Sequence, residues 1–424
     1  MRYSSEPLHS SSLSAKVVRL PNGLTVIHQY LPASPVVVAD VWVRAGAIAE
    51  PNEWAGMAHF LEHMIFKGSE RLQTGWFDEL IESRGGATNA ATSHDYAHFF
   101  LTAAAPYLEE TLPHLADILL RPSLPEAEFE REREVVLEEL RACYDDPDWI
   151  GFQALSELIY QCHPYGRSVL GYEELLRFLT PQQMRCFHQT HYQPENMTVA
   201  IVGGVEEAPA LELVQSAFSN FKVRSQCPPW TVEAEPPLVE VRRQQLHLPN
   251  LELARLTLAW VGPGVECLHD AFGLDLLAAI LASGRSSRLV RELREEKGLV
   301  LDIGCDFSLQ RDSSLFTLSA WLEPQLLETV EAILCDRLLE VQTQPIAPAE
   351  LARAQRLLCN DYTFSTETAS QLAGLYGYYE TLAQAELAAT YPWQIQQFSA
   401  QALQQLASRY LSPEHYGVTI LKPC

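Results

Sequence analysis

Two stretches of this sequence, about half the chain apart, carry the same order of structural signals. Residues 179–204 and 398–423 each contain a short cap, an amphipathic helical pattern, a tyrosine, a Pro-Glu turn and a β-rich apolar run. Helix, turn and strand is a common succession, so this pair alone does not separate duplication from coincidence. If it is a duplication, the chain must fold as two similar units.

Further elements recur in the same order and favour duplication. An apolar strand followed by a helix is predicted at 34–46 and again at 253–264. A helix begins at Pro125 and again at Pro348, where the first turn needs no N–H donor. Strands followed by long helices and a returning strand are typical of mixed sheets covered by helices. We therefore predict an α+β fold of two homologous units, each with a mixed, mostly antiparallel sheet.

The segment between the halves predicts the domain boundary. Residues 223–236 hold three prolines and no amphipathic period, which is typical of an extended linker. We predict a first domain over 1–222, this linker, and a second, homologous domain over 237–424. A chain of 424 residues is long enough to bury two such cores.

Charge and composition exclude some classes of function. A formal net charge of -24 repels polyanions, so a nucleic-acid partner is not expected. No stretch is apolar enough for a membrane span or a secretion signal, and the nine cysteines are scattered without C-x-x-C spacing. We expect a cytoplasmic protein with no membrane partner, whose charge is compatible with cationic or neutral peptides.

The helix predicted within residues 56–68 carries polar residues that a core helix does not need. His59 and His63 project from the same face one turn apart, and Glu62 lies on the flank beside them. Two imidazoles in this arrangement can bind one metal ion, and the carboxylate is close enough to hold a metal-bound water. Two satisfied core histidines are the alternative. A catalytic zinc would need a third protein ligand and one open position.

A third ligand is available on the helix predicted within residues 123–147. Glu132 and Glu139 lie two turns apart along the same side, beside the apolar stripe. Most of the other charge on this helix is typical of a solvated face. Two carboxylates buried without partners would cost several kcal/mol or become protonated. A metal ion and its histidines would remove that cost, so we expect a buried pair of carboxylates at a metal site.

The second half of the chain provides an internal control. Aligning Gly68 with Gly284 and Pro125 with Pro348 places different residues at the five polar positions. These residues are Asp275, Ala278, Ala279, Gln355 and Tyr362. The second half therefore forms its helices without the His and Glu residues, which favours the metal interpretation over two core histidines.

The stretches HFLEH and EREREVVLEE resemble pitrilysin-type metallopeptidases with the inverted zinc motif, most closely their short bacterial members similar to mitochondrial processing peptidase. The resemblance covers nearly the whole chain and includes NGLTVIHQ, GGATNAATSHDYAHFF, HPYGRSVLG, YQPENMTVAIVGG and SGRSSRLVRELREEKGL. It implies a peptidase that binds one zinc ion per chain through His59, His63 and Glu139. Glu62 would be the general base, and Glu132 would be a carboxylate that supports the ligands.

The resemblance also implies where a substrate binds. Residues of ATNAATS would contribute an edge strand that pairs with the substrate backbone, with Asn89, Ala90 and Thr92 as contacts. This agrees with the way extended peptides add to a sheet edge, although an ordinary half-buried strand is the alternative. The family completes its sites with an arginine and a tyrosine seven residues apart. Here Arg294 is present, but Leu301, which has no donor, stands at the tyrosine position.

We predict a zinc-dependent endopeptidase that hydrolyses unstructured peptides in a chamber between its domains. The partner would be a second copy of the chain or a homologous subunit that supplies the arginine and tyrosine. Two alternatives are a zinc-bearing subunit that is inactive alone and a non-catalytic scaffold of the same fold, although a scaffold would be expected to have lost its ligands. A structural zinc would need a fourth protein ligand that closes the coordination sphere.

Overall fold

The computed structural model describes residues 15–228 and 232–424, and these residues contain two β-sheets. The first sheet is formed by β1 (Lys16–Arg19), β2 (Thr25–Tyr30), β3 (Val36–Val43), β4 (Ala87–Thr92), β5 (Ala97–Ala104) and β6 (Met197–Gly203). The second sheet is formed by β7 (Arg242–Leu248), β8 (Ala254–Pro263), β9 (Asp302–Ser308), β10 (Ser313–Leu322) and β11 (Gly417–Pro423).

Helices separate and cover these strands. Those that precede the second sheet in the chain are α1 (Met57–Ile65), α2 (Trp76–Ser83), α3 (Leu108–Leu120), α4 (Glu126–Cys143), α5 (Pro147–Ile159), α6 (Glu173–Leu176), α7 (Pro181–His191) and α8 (Glu207–Ala217). Those that follow are α9 (Leu268–Ala282), α10 (Leu327–Thr343), α11 (Pro348–Phe364), α12 (Ala369–Leu382), α13 (Leu387–Gln397) and α14 (Ala400–Tyr410). In the described part of the chain, no helix is both long and apolar enough to cross a membrane.

The two sheets have the same strand order and the same strand directions. The first runs β1-β2-β6-β3-β5-β4 and the second β7-β11-β8-β10-β9. Each contains one parallel pair, β2 with β6 and β7 with β11, and its other pairs are antiparallel. Apart from β1, every strand of the first sheet therefore has a counterpart in the second. This confirms the predicted α+β fold with two mixed, mostly antiparallel sheets.

The predicted repeats correspond to observed elements. The strand runs at 34–46 and 253–264 are β3 and β8, and the helices that begin near Pro125 and Pro348 are α4 and α11. The stretch 179–204 contains α7 and β6, and 398–423 contains α14 and β11. Both helices of this last pair begin with a side-chain cap, since Thr180 accepts from Gln183 N and Ser399 accepts from Ala402 N.

The compact units exchange two segments relative to the halves of the sequence. The first unit comprises Met1–Ala142, Arg167–Val232 and Ser365–Ala389, and the rest of the chain forms the second. As a result α12 packs on β3 and β6, whereas α5 packs on β7 and β11. The contiguous domains predicted at 1–222 and 237–424 do not include this exchange and stay a prediction. The predicted linker at 223–236 lies partly outside the described residues, which omit 229–231.

Candidate active site

Helix α1 holds its two histidines between an apolar flank and a polar surface. Phe60, Leu61, Met64 and Ile65 are fully buried, as the sequence predicts, so the helix cannot rotate about its axis without exposing them. His59 is buried, His63 is partly buried, and their rings lie edge to face with centroids 4.7 Å apart. The helix ends at Ile65, three residues before Gly68, whose φ of 97° lies in the left-handed region.

Helix α4 brings Glu139 to both histidines. Its Oε1 lies 3.7 Å from Nε2 of His59, and its Oε2 lies 3.3 Å from Nε2 of His63. Two donor atoms bound to one tetrahedral zinc ion lie about 3.3 Å apart, because each bond is about 2.0–2.1 Å long. The three side chains therefore fit a zinc ion. Among residues 15–228 and 232–424 they are also the one group of three His, Cys, Asp or Glu side chains arranged to hold a metal ion.

Glu132 lies behind His63, on the side away from Glu139. Its Oε1 is 3.0 Å from Nδ1 of His63, and its Oε2 is 2.7 Å from Nζ of Lys67. In the tautomer that binds a metal through Nε2, His63 donates its Nδ1 proton to Glu132, which fixes the ring orientation. Glu132 is buried, so the predicted burial of a carboxylate at this site is correct for this residue.

The burial expected for Glu139 is wrong, because its side chain is 43% exposed. It lies one full heptad beyond Glu132, and the neighbouring Val135 is also exposed rather than covered. The apolar stripe of α4 is thus narrower on this side than the sequence pattern predicts. An exposed ligand leaves the site accessible from solvent, which a catalytic metal needs and a structural one does not.

Glu62 faces the edge of the first sheet. Its Oε2 accepts a hydrogen bond of 2.6 Å from the hydroxyl of Thr92, the last residue of β4. Burial raises the pKa of Glu62. The hydrogen bond from Thr92 and the electrostatic attraction of protonated His63 oppose this increase. A carboxylate with a raised pKa is a stronger base, so Glu62 is suited to accept a proton.

The histidines differ in their electrostatic environment. Burial and the neighbouring His63 lower the pKa of His59 to about 4, so its ring is neutral at neutral pH and free to bind a metal. Burial alone would lower the pKa of His63, but hydrogen bonds with Glu139 and Glu132 outweigh it and raise the pKa. The bond with His63 in turn lowers the pKa of Glu139. Nδ1 of His59 is buried and has no hydrogen-bond partner within the described residues.

The predicted substrate contacts lie on an edge strand. Asn89, Ala90 and Thr92 belong to β4, which pairs with β5 on one side and ends the first sheet on the other. Exposed and partly exposed residues alternate along β4, and the Asn89 side chain accepts from the N–H of Ala90. The Thr92 hydroxyl donates a hydrogen bond to Glu62, so it already has a partner within the protein. This bond joins the edge strand β4 to α1, the helix that carries both histidines and is called the metal helix below.

Arg294 and Leu301 belong to the second unit. Arg294 lies on a π-helix over Val290–Glu296 and bonds with Glu295 and Asp302. Leu301 precedes β9 and is 63% exposed.

Three charged residues at or near this site are missing from the sequence prediction. Lys67 follows His63 by one helical turn, so helical spacing could have indicated its place beside Glu132. Glu50 and Arg167 contact the segment that leads into α1, and they are far apart in sequence. No periodic pattern connects them to the motif.

Comparison with known proteins identifies the family of this chain. The family model described as "Insulinase (Peptidase family M16)" matches residues 25–173, and "Peptidase M16 inactive domain" matches residues 179–358. An uncharacterized zinc protease of Mycobacterium leprae is 31% identical over 346 residues, which cover 80% of this chain and 76% of the relative. Zinc protease PqqE of Helicobacter pylori is 28% identical over 422 residues, which cover 98% of this chain and 95% of the relative.

A solved structure has the same fold. The crystal structure of a protease from Helicobacter pylori superposes with a TM-score of 0.91 and 27% sequence identity, and the match covers 97% of this chain and 100% of that one. The chain belongs to the peptidase M16 (insulinase) family, which confirms the resemblance stated from the sequence. Its relatives include zinc proteases.

Proposed function

We propose that this chain is a zinc-dependent endopeptidase that hydrolyses unstructured peptides. The observation that carries this proposal is the convergence of Glu139 from α4 with His59 and His63 from α1. On α1 they lie beside Glu62, which contacts the sheet edge through Thr92. The three donors would hold one zinc ion per chain, and the rest of the coordination sphere would remain for water and substrate.

When bound, zinc supplies a Lewis acid that polarises the scissile carbonyl and lowers the pKa of a water molecule towards about 7. Glu62 would take the proton of the attacking water and pass it to the leaving amine, and its raised pKa suits both steps. Glu132 would hold the His63 ring in the orientation that presents Nε2 to the metal.

The edge strand β4 would bind the substrate. Because β4 pairs with β5 on one side only, part of its backbone N–H and C=O groups face outwards and can pair with an extended peptide. Asn89, Ala90 and Thr92 would be the contacts. Main-chain pairing requires an unfolded segment and tolerates many side chains, so we expect broad specificity towards unstructured peptides.

The second function is a zinc-bearing subunit that is inactive until a partner chain supplies a donor. Leu301 supports it, because an exposed leucine at the predicted tyrosine position cannot donate to a developing oxyanion. A missing oxyanion donor lowers rates by about 10² to 10³. The partner would be a homologous subunit that carries the tyrosine, because a second copy of the chain has the same Leu301. The chamber and the cytoplasmic location implied by the sequence stay predictions.

Cleavage of an unstructured quenched peptide by the purified chain with zinc tests the proposal. We expect cleavage by the natural chain and a loss of roughly 10² to 10⁴-fold in Glu62→Gln, with zinc content unchanged. Glu138→Gln, on the exposed face of α4 with a side chain 71% exposed, is the matched control and should leave the rate unchanged.

Other outcomes separate the two functions. Zinc loss in Glu62→Gln would contradict its role as base. A folded, zinc-loaded natural chain that cleaves nothing would favour the subunit, and Leu301→Tyr should then restore cleavage if the missing hydroxyl is the cause. Continued inactivity of Leu301→Tyr after addition of a homologous partner would argue for a scaffold.

A further inference from the structure

The start of α1 is capped by a buried carboxylate from outside the helix. Gly56, which precedes the helix with φ of 92°, has no side chain with which to cap it. Glu50, which is fully buried, accepts from Gly56 N over 3.0 Å and from Ala58 N over 2.7 Å, one bond to each carboxylate oxygen. These N–H groups have no partner inside the helix, so the carboxyl of Glu50 satisfies donors that the helix itself leaves free.

Arg167 fixes the same segment from the other side. Its guanidinium donates to Ala47 O over 2.6 Å, to Glu50 O over 3.2 Å and to Asn52 Oδ1 over 3.0 Å. Burial raises the pKa of Glu50 to about 8, although the N–H of Ala58 and the charge of Arg167 oppose the increase. The protonated and ionised carboxyl both have two oxygens that can accept, so the cap persists across neutral pH.

Arg167 also contacts the turn that follows β4. Its carbonyl oxygen lies 2.9 Å from Nε2 of His94. The carbonyls of Ser93 and His94 accept from the N–H groups of Ala47 and Ile48 over 3.1 and 2.8 Å. One segment, residues 47–50, is therefore bound to the end of the edge strand and to the start of the metal helix.

Two glycines make this junction tight. A Cβ atom on Gly56 would lie 2.8 Å from Leu170 O, and one on Gly171 would lie 2.5 Å from Ala55 O, both closer than real Cβ contacts. Both glycines have positive φ, 92° and 80°. The two backbones touch without intervening side chains, so a shift near Arg167 must displace the start of α1.

We propose that Glu50 and Arg167 are positioning residues that fix the metal helix and the edge strand to one another. The inference rests on the proposed zinc site and names two residues that would act on it without touching the metal. One of the two N–H groups that donate to Glu50 belongs to Ala58, the residue directly before His59. Glu62 lies one helical turn after Ala58 on α1, and Thr92 lies at the end of β4. A displacement here moves ligand, base and substrate strand relative to each other.

The size of the effect follows from the tolerance of metal sites. Productive sites hold their groups to within roughly 0.5 Å, and loss of residues that orient ligands costs about 10- to 100-fold in metal affinity or activity. In Glu50→Gln one carboxylate oxygen becomes NH₂, which would face a backbone N–H with two donors opposed. Arg167→Lys keeps the charge but loses the planar set of donors.

The test uses the full chain and measures zinc affinity by competition with a chromophoric chelator. Glu50→Gln should bind zinc 10- to 100-fold more weakly, change the visible absorption spectrum of the Co²⁺-loaded protein, and lower kcat more than it changes KM. The matched control is Glu331→Gln in the second unit, a buried carboxylate bonded to Arg243 and Tyr416. It should lower the thermal midpoint while leaving zinc affinity and the Co²⁺ spectrum unchanged.

A lower thermal midpoint in Glu50→Gln with natural zinc affinity and an unchanged Co²⁺ spectrum would overturn the inference, since the pair would then serve stability alone. If Glu50→Gln does not fold, the zinc affinity and Co²⁺ spectrum of Arg167→Lys test the same inference. Metal affinity and the Co²⁺ spectrum do not require cleavage, so they remain informative even if the natural chain proves inactive as a peptidase.

Discussion

The two halves of the chain share an equivalent pair of helices, but the side chains that these helices place at the candidate site differ. In the first half α1 and α4 present imidazoles and carboxylates to one point, whereas α9 and α11 fill the equivalent place with core. The equivalent residues of the second half are Asp275, Ala278, Ala279, Gln355 and Tyr362. Ala278 and Ala279 are buried among the apolar residues of the second unit. The scaffold thus forms without a metal.

The polar residues of the second half are satisfied within the protein. Asp275, which is partly buried, accepts from the hydroxyl of Tyr391, and Tyr362 stacks on the same tyrosine with ring centroids 5.8 Å apart. Gln355 donates to the carbonyls of residues 395, 396 and 398. In the first half, by contrast, Nε2 of both histidines and the Glu139 carboxylate face a common, solvent-accessible point. The contrast shows that polarity alone does not define a site. What distinguishes the first half is that two imidazole nitrogens and a carboxylate converge on one solvent-accessible point.

Replacing a proposed zinc ligand of the first half by the residue found in the second half should have the largest effect on zinc affinity. His63→Ala places at this position the residue found in the second half, removes one ligand and leaves Glu132 without its imidazole partner. We expect zinc affinity to fall by more than 100-fold, because even the loss of groups behind a ligand costs 10- to 100-fold. Equilibrium dialysis measures it. His269→Ala, an exposed histidine of the second half, should bind zinc normally, and normal binding by His63→Ala would contradict the site.

Asp275 provides a test of the second half through pH. Burial raises its pKa from 3.8 to about 6, although the Tyr391 hydrogen bond opposes the increase. The stability contributed by the protonated group is therefore fully present below pH 3.8 and is lost as pH rises through 6. From well below pH 3.8 to well above pH 6 the unfolding free energy of the natural chain should fall by about 3 kcal/mol relative to Asp275→Asn, which does not titrate.

Urea unfolding of both proteins at several pH values measures this difference. Zinc affinity should be the same in both, since Asp275 has no part in the metal site of the first half. A constant stability difference across this pH range would show that the carboxyl is ionised throughout.

Exchange of Glu132 and Gln355 sharpens the comparison. Glu132→Gln gives the first half the amide of the second and removes the charge that holds His63 Nδ1 and Lys67. We expect zinc to bind 10- to 100-fold more weakly. Gln355→Glu places a carboxylate against carbonyls, so it should destabilise the fold without affecting zinc. Equal zinc affinities for Glu132→Gln and the natural chain would show that His63 needs no support.

Much of the fold follows from the sequence because helices and strands leave local periodic patterns. The repeats around Pro125 and Pro348 indicate two similar units, and the observed sheets share strand order. The exchange of α5 and α12 between units could not be predicted. An amphipathic helix shows that it has a buried face, but not which of two similar sheets covers it.

Some residues of the candidate site can likewise be predicted from the sequence, and others can be found only in the folded chain. His59, Glu62 and His63 follow from spacing within one helix, and the pair Glu132 and Glu139 follows from spacing on a second. Which of the two carboxylates is the ligand is implied by the family resemblance alone. Glu50 and Arg167 are separated by 117 positions and meet through loops, where no period links distant residues. The hydrogen bond between Glu62 and Thr92 also joins separate elements, so only the folded chain shows it.

That hydrogen bond offers the finest test of the difference between the halves. In the second half Ala278 stands at the position of Glu62 and has no polar atom with which to contact the edge strand. Thr92→Val removes the hydroxyl, keeps the β-branched shape and leaves Glu62 without its donor. Hydrogen bonds to charged groups contribute about 1.5–3 kcal/mol, so we expect kcat to fall about 10- to 100-fold with zinc affinity unchanged.

Thr92→Ser is the matched control, because it retains the hydroxyl and should retain most of the rate. A substrate contact alone would behave differently: both variants would change KM rather than kcat, since binding would weaken equally in the ground and transition states. Equal loss in Thr92→Ser and Thr92→Val would therefore assign Thr92 to the substrate strand. Loss confined to Thr92→Val would assign it to the orientation of Glu62, and would show that the first half differs from the second by a link between helix and edge strand as well as by its metal ligands.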